Sequence, residues 1–196
     1  MKFLLSKTLF RVLVVATLMG LPFQSHAAYD MYLSFTTGNG NGTTGNGSGT
    51  TVTGSATNGL IAINSIQWGT GRGISSATGG TRTVSAPSFS EVTITKMMDS
   101  ASPTLALLSA NGTGTATCVL TIQDHDTGNV LYTLTLNHVY ISGYSVSTGG
   151  GVPSESLSLN YTQITWVYQA LDGSGNPLGK ASPTLGWDLA KQAQYP

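Results

Sequence analysis

Within the body of this chain the period of the apolar residues changes once, and that change limits it to a mostly β fold with a single helix. Val92 and Ile94 alternate with Glu91, Thr93 and Thr95, the two-residue period of a half-buried strand. Further on, Leu105 and Leu108 recur at helical spacing. Ser102 supplies a hydroxyl N-cap, Pro103 takes a first helical position that needs no N–H, and Asn111-Gly112 offers a left-handed stop. The stretch predicts a strand running into one short capped helix.

Elsewhere the two-residue period holds. Met31, Leu33 and Phe35 share one face of a first strand, and Leu60 to Trp68 reads as a second. Ala116 to Gln123 and Val130 to Tyr140 flank the polar connection Asp124 to Asn129, the pattern of a hairpin. In Glu155 to Gln169, Leu157, Leu159 and Tyr161 lie on one face, with Ser156, Ser158 and Asn160 on the other. Turns at Gly149 to Pro153 and Asp172 to Pro177 separate the later strands. Many short alternating strands with turns between them predict a barrel or sandwich.

Two segments stand outside this pattern. Lys2, Lys7 and Arg11 precede an apolar run from Val12 to Leu21, and Ser25-His26-Ala27 has the small-x-small form of a cleavage site. That is the layout of a secretory signal peptide, and the run falls short of the roughly 20 residues of a membrane span. Residues 1–27 are therefore read as a signal cleaved near Ala27. Residues 28–196 are read as one secreted or periplasmic domain with no stable membrane anchor. The second segment, Gly38 to Asn58, is Gly, Asn, Thr and Ser without a charge, and predicts a flexible loop. It lacks the aspartates a glycine-rich calcium repeat would need.

Charge excludes some functions. The signal holds three of the eight basic residues, leaving five against eight acidic ones, a charge of about −3. Nothing there favours nucleic acid. Charged residues are 8% of the chain, so copies repel one another weakly.

The residues nominate no catalytic, cofactor-binding or metal-binding site. Asp124-His125-Asp126 reads as a solvated turn, and His138 shares an alternating face with Leu134, Leu136 and Tyr140. The lone cysteine, Cys118, sits on a face with Leu120 and Ile122, as a small buried hydrophobe; an intermolecular bridge is its alternative. No G-x-S-x-G elbow occurs, and the glycines from Gly69 to Gly73 precede no long helix that could hold a phosphate. Glu91 and Glu155 are expected to face solvent or another subunit. Trp68, Trp166 and Trp187 are read as packing residues; as exposed stacking platforms they would instead make the chain a monomeric, glycan-binding module.

Several blocks, in order, resemble one known family. They are Gly59 to Gly69 with its Trp68-Gly69 ending, Ser88 to Lys96 followed by Asp99 to Pro103, Tyr140 to Ser147 through Pro153 to Tyr161, and Gly186 to Leu189. Together they resemble the haemolysin-coregulated protein (Hcp) family, the tube subunit of bacterial type VI secretion. The resemblance implies a mainly β fold: a small closed antiparallel β-barrel with one short α-helix packed beside it. It also implies a structural, virulence-associated protein with no cofactor. Its partners would be copies of itself in a hexameric ring that stacks into a hollow tube, with secretion components or effector cargo. The export signal departs from that pattern, since such tube subunits fold in the cytoplasm.

Overall fold

The computed structural model describes residues 29–37, 50–75 and 81–195. The expected signal, residues 1–27, lies outside them, as do residues 38–49 of the expected loop.

The chain runs β1 (Tyr29–Thr37), β2 (Thr50–Val52), a 3-10 turn (Thr57–Gly59), β3 (Ile61–Ile63), β4 (Ser65–Gln67), β5 (Thr70–Ile74), β6 (Val84–Phe89) and β7 (Val92–Met97). Helix α1 (Ser102–Asn111) follows, then β8 (Thr115–Asp124), β9 (Val130–Ser147), β10 (Ser154–Asn160), β11 (Gln163–Tyr168), β12 (Leu185–Asp188) and β13 (Ala193–Tyr195). The fold is mainly β with one α-helix, and the strand pairings among these elements are antiparallel. One sheet holds eleven strands. Its main path is β13-β12-β11-β9-β10-β7-β4, with β8 branching from β9, β1 from β8, and β2 and β3 from β1.

Strand β9 organises this arrangement. Its first part pairs with β8 and, from Tyr132 to Asn137, with β11; from Tyr140 to Ser147 it pairs with β10. Between these partners His138 takes φ 56°. The left-handed step reverses the alternation, so Leu134 and Leu136 are buried before it and Val139 and Ile141 after it. His138 and Tyr140 therefore turn outward, which corrects the single face expected for Leu134, Leu136, His138 and Tyr140. The His138 ring instead meets the Thr162 hydroxyl, Nδ1 to Oγ1 2.9 Å.

The loop expected over Gly38 to Asn58 does not extend to its end. Thr50 to Val52 pair with Thr37 to Phe35, and Val52 is buried opposite Phe35. One apolar residue between threonines, set against an open strand edge, suffices for a short strand.

The core gathers the apolar faces of the strands: Leu33 and Phe35, Ile61, Val92 and Ile94, Leu134 and Leu136, Leu157 and Leu159, and Ile164. Each such side chain contributes roughly 1.5–3 kcal/mol on burial. Helix α1 packs against β9 and adds Leu105 and Leu108, and it ends at Gly112 with φ 63°, the left-handed stop the sequence predicts. The β5–β6 hairpin forms a separate two-stranded sheet, exposed along most of its length. Aromatic contacts hold its root, with Trp68 stacked on Trp166 at 5.6 Å between ring centroids and Phe89 on Trp187 at 6.4 Å.

Gly186 marks the closest approach of β12 to β11. A Cβ there would meet the Ile164 carbonyl, and the Thr165 Cγ2 at 2.6 Å. Gly186→Ala is expected to cost about 1–3 kcal/mol through overpacking. Urea denaturation measures this, and an unchanged midpoint would mean that β12 slides freely on β11.

Candidate functional site

The most concentrated chemistry lies where β7 hands over to α1. Lys96 is fully buried, on the same strand face as Val92 and Ile94. Its ammonium donates to the Glu155 Oε2 at 2.8 Å, the Asp99 Oδ1 at 2.8 Å, the Met97 carbonyl at 2.8 Å and the Ser102 hydroxyl at 3.1 Å. Glu155 is the direct register partner of Lys96 across β7 and β10. Its second oxygen, Oε1, accepts the Tyr144 hydroxyl at 2.8 Å. Burial, then the neighbouring Glu155 carboxylate, pushes the Tyr144 phenol up to about 12.

Two expectations change here. Glu155 neither faces solvent nor waits for another subunit; it is 1% exposed and ion-paired inside the molecule. The signal was in the alternation, since Glu155 shares its face with Leu157 and Leu159. Ser102 is not an N-cap. Ala101 precedes the helix with no side-chain cap, and the Ser102 hydroxyl accepts the Asp99 N–H at 2.9 Å while meeting Lys96. Asp99 steadies the entry by accepting the Ala101 N–H at 3.0 Å. The three ammonium protons are shared among four acceptors, so the cluster ties β7, β10 and the entry to α1 together as a lock between elements.

The other residues singled out in the sequence disperse. Asp124 closes the β8–β9 turn, its Oδ1 accepting the N–H groups of Asp126 and Thr127 and the Thr127 hydroxyl. The Thr127 bonds and the Asp126 N–H hold its carboxyl below the usual range. His125 lies beside Asp30 at 2.8 Å. No cluster of three metal-ligating side chains occurs among the described residues. Glu91 is exposed and accepts a bond from the Asn160 amide at 3.0 Å. Cys118 is a free cysteine with no exposed surface, and burial raises its thiol pKa strongly, which disfavours the thiolate a bridge needs. Trp68, Trp166 and Trp187 are partly buried against the core with ring faces engaged by other aromatics, so they form no open stacking platform.

What remains open is a sheet face. Ser65, Thr95, Ser156 and Ser145 stand in one register row across β4, β7, β10 and β9, and Gln67, Thr93, Ser158 and Gly143 in the next. The Ser65 and Thr95 hydroxyls lie 2.6 Å apart. These two rows hold hydroxyls, an amide and a glycine, without charge. Such a face can hydrogen-bond a polar neighbour.

A family model described as "Type VI secretion system effector, Hcp" matches residues 34–168, more than half of the chain. The chain belongs to the Hcp family. Solved relatives agree with that. A type six secretion system protein is 25% identical at a TM-score of 0.72, with 86% of this chain aligned to 100% of the other. Hcp1 from Salmonella typhimurium is 16% identical at a TM-score of 0.62, covering 86% and 99%. A doubly substituted Hcp1 from E. coli EAEC 042 is 20% identical at 0.56, covering 79% and 98%. No curated protein matches the chain. The Hcp match spans the Lys96–Glu155 lock and both hydroxyl rows.

In this Hcp-family chain, removing one partner of the lock leaves a buried charge uncompensated. Lys96→Met is expected to cost about 3–5 kcal/mol, whereas Lys96→Met with Glu155→Leu restores much of the loss. Guanidinium denaturation compares them; equal losses in the single and double variants would show that ion pairing is not the source.

Proposed function

We propose that this chain is an exported structural subunit of the Hcp type, which assembles with identical copies into hexameric rings that can stack into a tube. The family match over residues 34–168 carries this reading. The alignment with whole solved chains of the family supports it, since the structure spans their full fold.

The pairings also support a closed barrel. Strand β3 pairs with β1, and β4, one residue later, pairs with β7. Asn64 between them donates its N–H to the Thr95 carbonyl at 2.7 Å. Taken as one bent strand, β3–β4 would complete a circuit β1-β8-β9-β10-β7-β4-β3-β1. A closed circuit removes most free edges, and so directs association to side-chain surfaces. The neutral hydroxyl rows oppose such contact with no like charges. Repeating one head-to-tail contact builds a ring when its rotation closes.

On this reading the protein does no catalysis, and its working parts are a self-complementary surface and the space the ring encloses. The basic start and apolar run of residues 1–27 support export with cleavage near Ala27. Assembly then takes place in the periplasm or outside the cell, uncoupled from a cytoplasmic contractile sheath, with secretion components or effector cargo as further partners.

Light scattering and negative-stain electron microscopy of residues 28–196 test the proposal. The expected result is a species of six protomer masses and rings of uniform diameter. A monodisperse monomer at high protein concentration would overturn it.

A further inference from the structure

The leading end of β1 is held differently from the rest of the strand. From Met31 to Leu33 β1 has a ladder partner on each side, β8 and β3, and from Phe35 to Thr37 it has β8 and β2. Tyr29 and Asp30 pair with Asp124 and Gln123 of β8, whereas β3 joins only at Met31. At that point a side-chain fastening appears. The His125 Nδ1, one residue beyond β8, lies 2.8 Å from the Asp30 Oδ2, and the Tyr32 hydroxyl donates to the same oxygen at 3.3 Å.

We propose that Asp30 and His125 form an acid-closed latch, which fastens the first residues of β1 to the β8–β9 turn when the imidazole is protonated and loosens them when it is neutral. The groups around the ring favour the cation. Asp30 and Tyr32 face it from β1, and Asp124 and Asp126 flank it in the turn. The Asp124 carboxylate is engaged by the turn's own N–H groups. The neighbouring 172–176 turn packs Gly175 on Asp124, and its Asp172 carboxylate accepts the N–H groups of Ser174 and Asn176. A neutral ring can still donate from Nδ1, but it gives up the charge that draws it to Asp30.

The hydrogen bond to Asp30 and then its charge raise the His125 pKa above 6.5, with smaller contributions from Asp126 and Asp124. Because the folded-state value is raised, the latch's contribution is present below the ordinary value of 6.5 and is lost as pH rises through the higher, folded-state value. His125 is 60% exposed and Asp30 33%, so solvent screens the pair and the effect is local to the strand end.

Amide hydrogen exchange at Tyr29 to Leu33, corrected for intrinsic chemistry, tests the latch between pH 5.5 and 8.5, alongside an NMR titration of the His125 ring. Exchange is expected to be about two- to five-fold faster on the basic side, with its midpoint at the His125 titration. His125→Gln should abolish the step, and Asp30→Asn should abolish it and return the ring's midpoint towards 6.5. Exchange that is flat with pH in the unaltered protein, or a step that survives His125→Gln, would overturn the proposal.

Discussion

One ammonium group joins four parts of this molecule. Lys96 on β7 reaches Glu155 on β10, Asp99 in the connection to the helix and Ser102 in the first turn of α1, while Tyr144 on β9 completes the carboxylate from the far side. Taking a lysine out of water costs several kcal/mol, and only well-placed acceptors offset it. The arrangement therefore ties the start of the helix to the sheet. Leu105 and Leu108 reach the core because the helix begins where this cluster holds it. The lock thus links a charge pattern to the packing of the only α-helix among the described residues.

The same economy of charge shapes the surface. Of the few ionised groups, Lys96 and Glu155 are spent inside, and Asp124, Asp172 and Asp188 have their carboxyl groups engaged by neighbouring N–H and side-chain donors, which hold them below the usual carboxylate range. What the broad sheet shows instead is rows of hydroxyls in register. Those rows lie within the span matched by the Hcp family model.

The main departures from the sequence reading arise where a residue's place is set by a segment distant in sequence or by an unusual backbone step. Alternation that stops at the last apolar residue of a strand puts Glu155 outside, although it stands one step before Leu157 on the inward face. A carboxylate on that face is affordable only because Lys96 lies opposite, and the opposition depends on the register of two strands separated by the helix and a hairpin. At His138 the alternation reverses instead. The change of partners along β9 that accompanies that left-handed step is not visible in local sequence. Val52 shows the same limit, since a strand of three residues exists only because the edge of β1 is there to receive it.

By itself, the order of residues determined the class of the fold, the position of the one α-helix and its glycine stop, the family to which the chain belongs, and where several strands lie, although the single strands read over Leu60 to Trp68 and Glu155 to Gln169 each break in two, at Asn64 and at Tyr161-Thr162. Those features are local, set by side-chain period, by turn chemistry and by short blocks of recognisable residues. Only the tertiary structure decided which polar groups are inside, which tryptophan faces are covered and how the end of β1 is fastened. Each of those depends on two distant segments meeting in a particular register, and a buried charge or a paired ring has no meaning until its partner is in place.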